Sequence, residues 1–281
     1  MSLTTVIAAH TVVEYLDHNN WIIIDCRFSL ADPQAGINAY RLGHLPHARY
    51  VHLENDLSAA VTSLTGRHPL PDFNQLTKKI AALGITFNNQ IVVYDDAGGA
   101  FATRLWWLLR CLGHASVAVL DGGIQHWLAQ NYPTTTDLPR YKVGHFKAYL
   151  DTTRWLETRD IENNLARKSI CLIDARTAER YRGEHEPIDP VAGHIPGALN
   201  RPFQANMNTN GLFLSSDELH HQFKTLIHDS PAEHVVHMCG SGVTACHNLL
   251  AMEHAGLTGS KLYAGSWSEW IRNKNRPIAT Q

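Results

Sequence analysis

No stretch of the 281 residues approaches the roughly 18 consecutive apolar positions that a membrane-spanning helix needs. The first ten residues, Met1 to His10, hold no basic cluster and no long apolar core, so a secretory leader is not expected. Charge of one sign is also missing: Lys and Arg total 24, Asp and Glu total 26, and the formal net charge is −2. So balanced a chain has no basic footprint for a phosphate backbone, which argues against nucleic acid as a partner. Cysteines are few. The five, at 26, 111, 171, 239 and 246, fit neither a disulfide framework nor a zinc template, which points to the reducing cytoplasm. Eighteen histidines are present, yet no His-Glu-x-x-His or Cys-x-x-Cys occurs, and no metal site is expected. With 44% hydrophobic and 18% charged residues, the composition excludes a disordered or collagen-like chain.

What the chain does contain is a repeat of itself. Trp21-Ile22-Ile23-Ile24-Asp25-Cys26-Arg27 returns as Ile170-Cys171-Leu172-Ile173-Asp174-Ala175-Arg176. Gly43-His44-Leu45-Pro46 returns as Gly193-His194-Ile195-Pro196. The run 91–96 aligns with 234–239, and Gly99, Ala102, Gly113, Gly122 and Trp127 recur at the same spacing as Gly242, Ala245, Gly256, Gly265 and Trp270. Three motifs in one order mark a duplication. The units are 1–132 and 152–281, and the polar stretch 133–151 between them reads as a linker.

Within each unit, short apolar runs alternate with helical patterns. Runs 22–25, 91–94 and 117–120 are continuous and rich in β-branched residues, as strands buried on both faces are. Asp72 and Gln75 form a capping-box pattern ahead of a face made by Phe73, Leu76, Ile80 and Leu83, and Gly84 stops that helix. Ser215 to Glu218 repeat the signal before Leu219, Phe223 and Leu226. The pattern predicts an α/β fold in which each unit is a parallel β-sheet with helices on both faces. Trp106, Trp107, Trp127, Trp267 and Trp270 recur at helical spacing and read as packing residues.

In such sheets, sites form at the carboxyl ends of strands. The strand 234–238 runs into Cys239-Gly240-Ser241-Gly242-Val243-Thr244-Ala245 and then a helical stretch. A cysteine at that turn faces the positive end of the helix dipole, and the glycines let successive N–H groups curl into an anion nest. Ser241 and Thr244 can add hydroxyl donors. This setting favours thiolate over thiol. A phosphate-binding cysteine loop needs Cys-x5-Arg, but the sixth residue after Cys239 is Ala245, which argues against a phosphatase. A Cys–His hydrolase stays open, although no protease signature surrounds Cys239. Cys246 reads as a packing residue.

These features resemble the tandem rhodanese family, and within it the 3-mercaptopyruvate sulfurtransferases. The resemblance spans the chain. It rests on the loop 239–245, the two Gly-His-x-Pro turns, Tyr94-Asp95, Arg104-Leu105-Trp106-Trp107, and Gly265-Ser266-Trp267-Ser268-Glu269-Trp270. It implies two rhodanese-like domains. The first is catalytically silent, because Asp96 stands where the second has Cys239. It further implies a relay in which Cys239 takes sulfur from a small donor as a persulfide and hands it to a thiol such as thioredoxin or glutathione, without metal or cofactor. Gly240, Gly242, Val243 and Thr244 would cradle the substrate, Arg180 would bind its carboxylate, and Ser241 with His44 would form a proton relay. His194 and Arg176 are expected to be structural. Thiosulfate-preferring members typically carry Arg-Lys where this chain has Gly240-Ser241, which makes a thiosulfate sulfurtransferase the alternative, with a persulfide carrier of little turnover as a further one. A second arginine common among the mercaptopyruvate enzymes is replaced here by Ile188.

Overall fold

The computed structural model describes residues 3–167 and 169–281, so the first two residues of the stretch read for a leader lie outside it. The chain forms two compact units. The first holds the chain up to Ala59, Pro71–Asp151 and Thr209–Phe213; the second holds Ala60–Leu70, Thr152–Asn208 and Leu214–Gln281.

The first unit is built on strands β1 (Val6–Ile7), β2 (Trp21–Asp25), β3 (Arg49–Tyr50), β4 (Gln90–Tyr94) and β5 (Val117–Leu120), in the spatial order β1-β5-β4-β2-β3. All its pairings are parallel. Ile23, Val92 and Ala118 share one cluster with Val12, Tyr40 and Trp127 from helices Ala9–Glu14, Ala35–Leu42 and Gly123–Ala129. The intervening residues Ile22, Ile24, Ile91 and Val93 point to the other face and are equally buried, so both faces are covered.

In the second unit β6 (Trp155–Leu156), β7 (Cys171–Asp174), β8 (Leu199–Asn200), β9 (Val235–Met238) and β10 (Lys261–Tyr263) take the order β6-β10-β9-β7-β8. These pairings are also parallel, and the order is the first unit's connectivity over again. Leu172, Val236 and Met238 pack with Ile161, Trp267 and Trp270. The five tryptophans singled out from the sequence are all buried.

Local signals act as their chemistry dictates. Asp72 accepts the N–H of Gln75 at 2.8 Å to start helix Phe73–Ala82. Ser215 and Glu218 complete a reciprocal capping box on helix Ser216–Ile227. The stretch 133–151, expected as a linker, lies instead against the first unit. Phe146 is buried, and the N–H groups of Gly144, Tyr149 and Asp151 donate to Ala81, Leu112 and Cys111.

Candidate active site

The site is assembled at the carboxyl end of β9. Cys239 follows the strand and is only 2% exposed. Its main chain is pinned by helix Ser266–Trp270. The Cys239 N–H donates to Ser266 Oγ at 3.1 Å, and the Cys239 and Gly240 carbonyls accept from the Trp267 and Ser268 N–H groups. Ser266 has φ of 53°, a left-handed conformation unusual outside glycine, and its hydroxyl also donates to Tyr263 O at 2.8 Å. The repeat places Gly123 at the corresponding position of the first unit. The serine thus accepts backbone strain and in return holds the cysteine's N–H. Gly242 has φ of 76° and lies against the Ala264 carbonyl, so no side chain fits there. Thr244 precedes helix Ala245–His254 without a side-chain cap bond, and Cys246 is fully buried with Sγ 3.5 Å from Gly242 O.

The two repeats use this loop differently. In the first unit the Asp95 carboxylate fills the nest, taking the N–H groups of Ala97, Gly99, Phe101 and Ala102 at 2.8 Å each. Burial pushes that carboxyl above its ordinary pKa, against the pull of these four bonds. The repeat puts Met238 at the equivalent position of the second unit. With no carboxylate there, the N–H groups of Gly240, Ser241, Val243 and Thr244 donate to no protein acceptor among the described residues. The first unit therefore has both Asp96 in place of the cysteine and a nest plugged by its own side chain.

Around the loop stands an ion-pair network. Arg180 Nε reaches both oxygens of Glu186 at 3.0 Å, and its Nη2 reaches Asp189 Oδ2 at 3.0 Å. Arg67, from the segment 60–70, binds Asp189 Oδ1 through Nη1. Arg176 clamps Asp174, with Nη2 2.6 Å from Oδ2, and also meets Glu186 and the Gly193 carbonyl. This is the structural role expected of it, and Arg27 repeats it on Asp25 and Gly43. Burial pushes the Glu186 carboxyl up, but the hydrogen bonds from Arg180 and the Asp189 N–H outweigh it and leave the group below its ordinary value. Burial pushes Asp189 up, with Arg67 pulling against it.

His44, expected in a proton relay, is held within its own unit. Its ring is buried on Tyr40 at 3.9 Å between centroids, and its two nitrogens lie 2.7 Å from Tyr40 O and 3.2 Å from Asp137 O. His194 does the same in the second repeat, stacking on Tyr181 at 3.7 Å with Nδ1 2.8 Å from Tyr181 O. Each histidine locks a Gly-His turn. The ring that meets Ser241 is His68, whose Nδ1 lies 2.8 Å from Ser241 Oγ. His68, Arg67, Glu186 and Asp189 were not singled out from the sequence. The tripeptide Gly66-Arg67-His68, two reactive side chains in an otherwise patternless stretch, was the available signal.

The arrangement joins a cysteine, an uncommitted nest, a Ser–His pair and two arginines within one unit. Comparison with known proteins agrees with that chemistry. The Rhodanese-like domain profile matches residues 8–130 and 157–273. A relative from Pseudomonas aeruginosa named "Probable 3-mercaptopyruvate sulfurtransferase" is 44% identical over 282 residues, covering 100% of this chain and 99% of its own. The thiosulfate sulfurtransferase of Rattus norvegicus is 34% identical over 238 residues, covering 83% of this chain and 79% of its own. The solved 3-mercaptopyruvate sulfurtransferase from Leishmania major superposes with a TM-score of 0.84 at 30% identity, over 95% of this chain and 74% of that one. The chain belongs to the rhodanese family and carries two rhodanese-like domains in tandem.

Proposed function

We propose that the protein is a sulfurtransferase that takes sulfur from 3-mercaptopyruvate onto Cys239 and passes it to a thiol such as thioredoxin or glutathione, or to cyanide. The observation that carries this reading is the loop after β9, where Cys239 is followed by the N–H groups of Gly240, Ser241, Val243 and Thr244, which donate to no protein acceptor among the described residues. The Cys239 thiolate attacks the donor sulfur. The carbon–sulfur bond breaks, its electron pair passes to the three-carbon fragment, and protonation at carbon gives pyruvate. An acceptor thiolate then attacks the outer sulfur and returns Cys239 as thiolate. The covalent intermediate divides the transfer into two steps and predicts ping-pong kinetics. The nest formed by Gly240, Ser241, Gly242, Val243 and Thr244 stabilises both anionic states without reorganising.

Arg180 binds the donor's carboxylate through Nη1, the guanidinium nitrogen engaged by neither Glu186 nor Asp189, as a charge-assisted hydrogen bond. Ser241, held by His68, carries the proton traffic. The five free cysteines suit a reducing cytoplasm. Among the described residues no helix is long and apolar enough to cross a membrane.

Thiosulfate is the competing donor, since a relative bears that name. The neutral pair Gly240-Ser241 favours the carboxylate donor. The deciding experiment is kcat/KM for each donor, followed as pyruvate release and thiocyanate formation. A higher value for 3-mercaptopyruvate, lost in Cys239→Ser, is expected. A higher value for thiosulfate overturns the donor assignment.

A further inference from the structure

Two guanidinium groups, rather than one, converge on the residue next to Cys239. A β-carbon built on Gly240 would meet Arg67 Nη2 at 2.7 Å, Arg180 Nη2 at 3.4 Å and Arg180 Nη1 at 3.7 Å. Both arginines share Asp189 as counter-ion, one on each oxygen. That carboxylate is 2% exposed, whereas the Arg67 and Arg180 side chains keep 27% and 15% exposure. Beyond these pairings, Arg67 Nη2 and Nε and Arg180 Nη1 donate to no protein acceptor among the described residues, and Arg67 Nε is buried. Donors desolvated without a partner are costly, so the open Nε–Nη2 edge of Arg67, together with Nη1 of Arg180, marks a place for an anion.

Arg67 does not reach this place by chance of a long side chain. Its own N–H donates to Ser268 Oγ at 3.0 Å, the Gly66 N–H points at Glu269 Oε2, and Arg272 Nε donates to Thr65 O at 3.1 Å. Ser268 is the residue whose N–H holds the Gly240 carbonyl. One short helix therefore fixes both the reactive loop and the segment that brings Arg67 to it.

We propose that Arg67 is a second carboxylate-binding cation of the site, acting with Arg180 above Gly240, and that it selects sulfur donors bearing a carboxylate. The segment 60–70 supplies the positive charge that neither Gly240 nor Ile188 offers. The inference rests on the sulfurtransferase reading for its natural donor, but its chemistry can be tested without one. Iodoacetate and iodoacetamide alkylate a thiolate by the same displacement of iodide and differ in the carboxylate. Their rates at Cys239, resolved by peptide mass spectrometry, report a carboxylate-binding charge directly.

The ratio of iodoacetate to iodoacetamide rates should fall about tenfold in Arg67→Met, about threefold in Arg67→Lys, and little in the iodoacetamide rate itself. KM for 3-mercaptopyruvate should rise in parallel, with kcat less affected. Arg67→Met leaves Asp189 one partner short, so Arg67→Met/Asp189→Asn serves as the companion variant and should keep the low ratio. An unchanged ratio in Arg67→Met, or a wild-type ratio restored in the double variant, overturns the inference. A lowered ratio together with no pyruvate release by the wild-type protein supports the anion site and overturns the donor reading. Normal pyruvate release with an unchanged ratio does the reverse.

Discussion

Replacing His44 and His68 in separate variants distinguishes a ring that holds the fold from one that serves the reaction. His44 is fully buried, with nitrogens 2.7 and 3.2 Å from two main-chain carbonyls and its face on Tyr40. His44→Ala removes a hydrogen bond of about 1 kcal/mol, since both ring nitrogens face carbonyl acceptors and an imidazole has one N–H to donate, and a stacked contact of about 0.5–1.5 kcal/mol. A loss of about 2 kcal/mol follows, before any cavity cost, and for a unit of this size that lowers Tm by about 4–8 °C. Turnover per folded molecule should stay within a factor of two or so, since both ring nitrogens are engaged by main-chain carbonyls of the first unit. His68 is the opposite case. Its recorded tie to the loop is the 2.8 Å bond to Ser241 Oγ, and proton transfer by a positioned group contributes about 100-fold or more. His68→Ala should therefore cut kcat by about that factor. His68→Asn, which can retain a hydrogen bond to Ser241 but cannot accept a proton, should be nearly as slow. The assays are urea unfolding and steady-state pyruvate release on the same preparations. A fall in kcat in His44→Ala at full folded fraction, or an unchanged kcat in His68→Ala, refutes the reasoning.

Two further outcomes follow from buried polar groups. Burial, with Arg201 adding to it, holds the pKa of His237 down at about 3. The unfolded chain takes up that proton near the ordinary 6.5 and the folded chain does not, so stability falls as pH drops from about 6.5 towards 3. The slope contributed approaches about 1.4 kcal/mol per pH unit, and urea titrations across that range should show it removed in His237→Met. Asp95→Ala strands four main-chain N–H groups in the first unit, and at about 1 kcal/mol or more for each the unfolding free energy should drop by at least about 4 kcal/mol, read as a lower urea midpoint. An unchanged midpoint would mean that the plugged nest contributes nothing to the fold.

Much of the fold is legible in the sequence because local and tertiary signals agree there. The runs 22–25, 91–94 and 117–120 became β2, β4 and β5 with at most one residue added, since continuous β-branched runs suit strands covered on both faces. The duplication fixed the topology of one unit from the other. The boundaries were less legible. Residues 60–70 count with the second unit and 209–213 with the first, and the polar stretch 133–151 packs on the first unit through Phe146 and main-chain bonds. None of these has a periodic signature, because their partners are distant in sequence.

The reactive loop could be read because strand, glycine turn and helix are contiguous. The residues around it could not. His68 lies 173 positions from Ser241 and Arg67 lies 122 from Asp189, so nothing local predicts either pairing. His44 drew attention because its Gly-His-x-Pro setting recurs. The recurrence itself, with His194 stacking on Tyr181 as His44 stacks on Tyr40, is the mark of a structural turn.

The most direct measurement is the intact mass of the protein after brief exposure to 3-mercaptopyruvate, with the modified residue located by fragmentation. One sulfur atom gained on Cys239, removed by a thiol acceptor and absent in Cys239→Ser, is the predicted result. Steady pyruvate release with no sulfur found on Cys239 at any time would contradict the covalent relay.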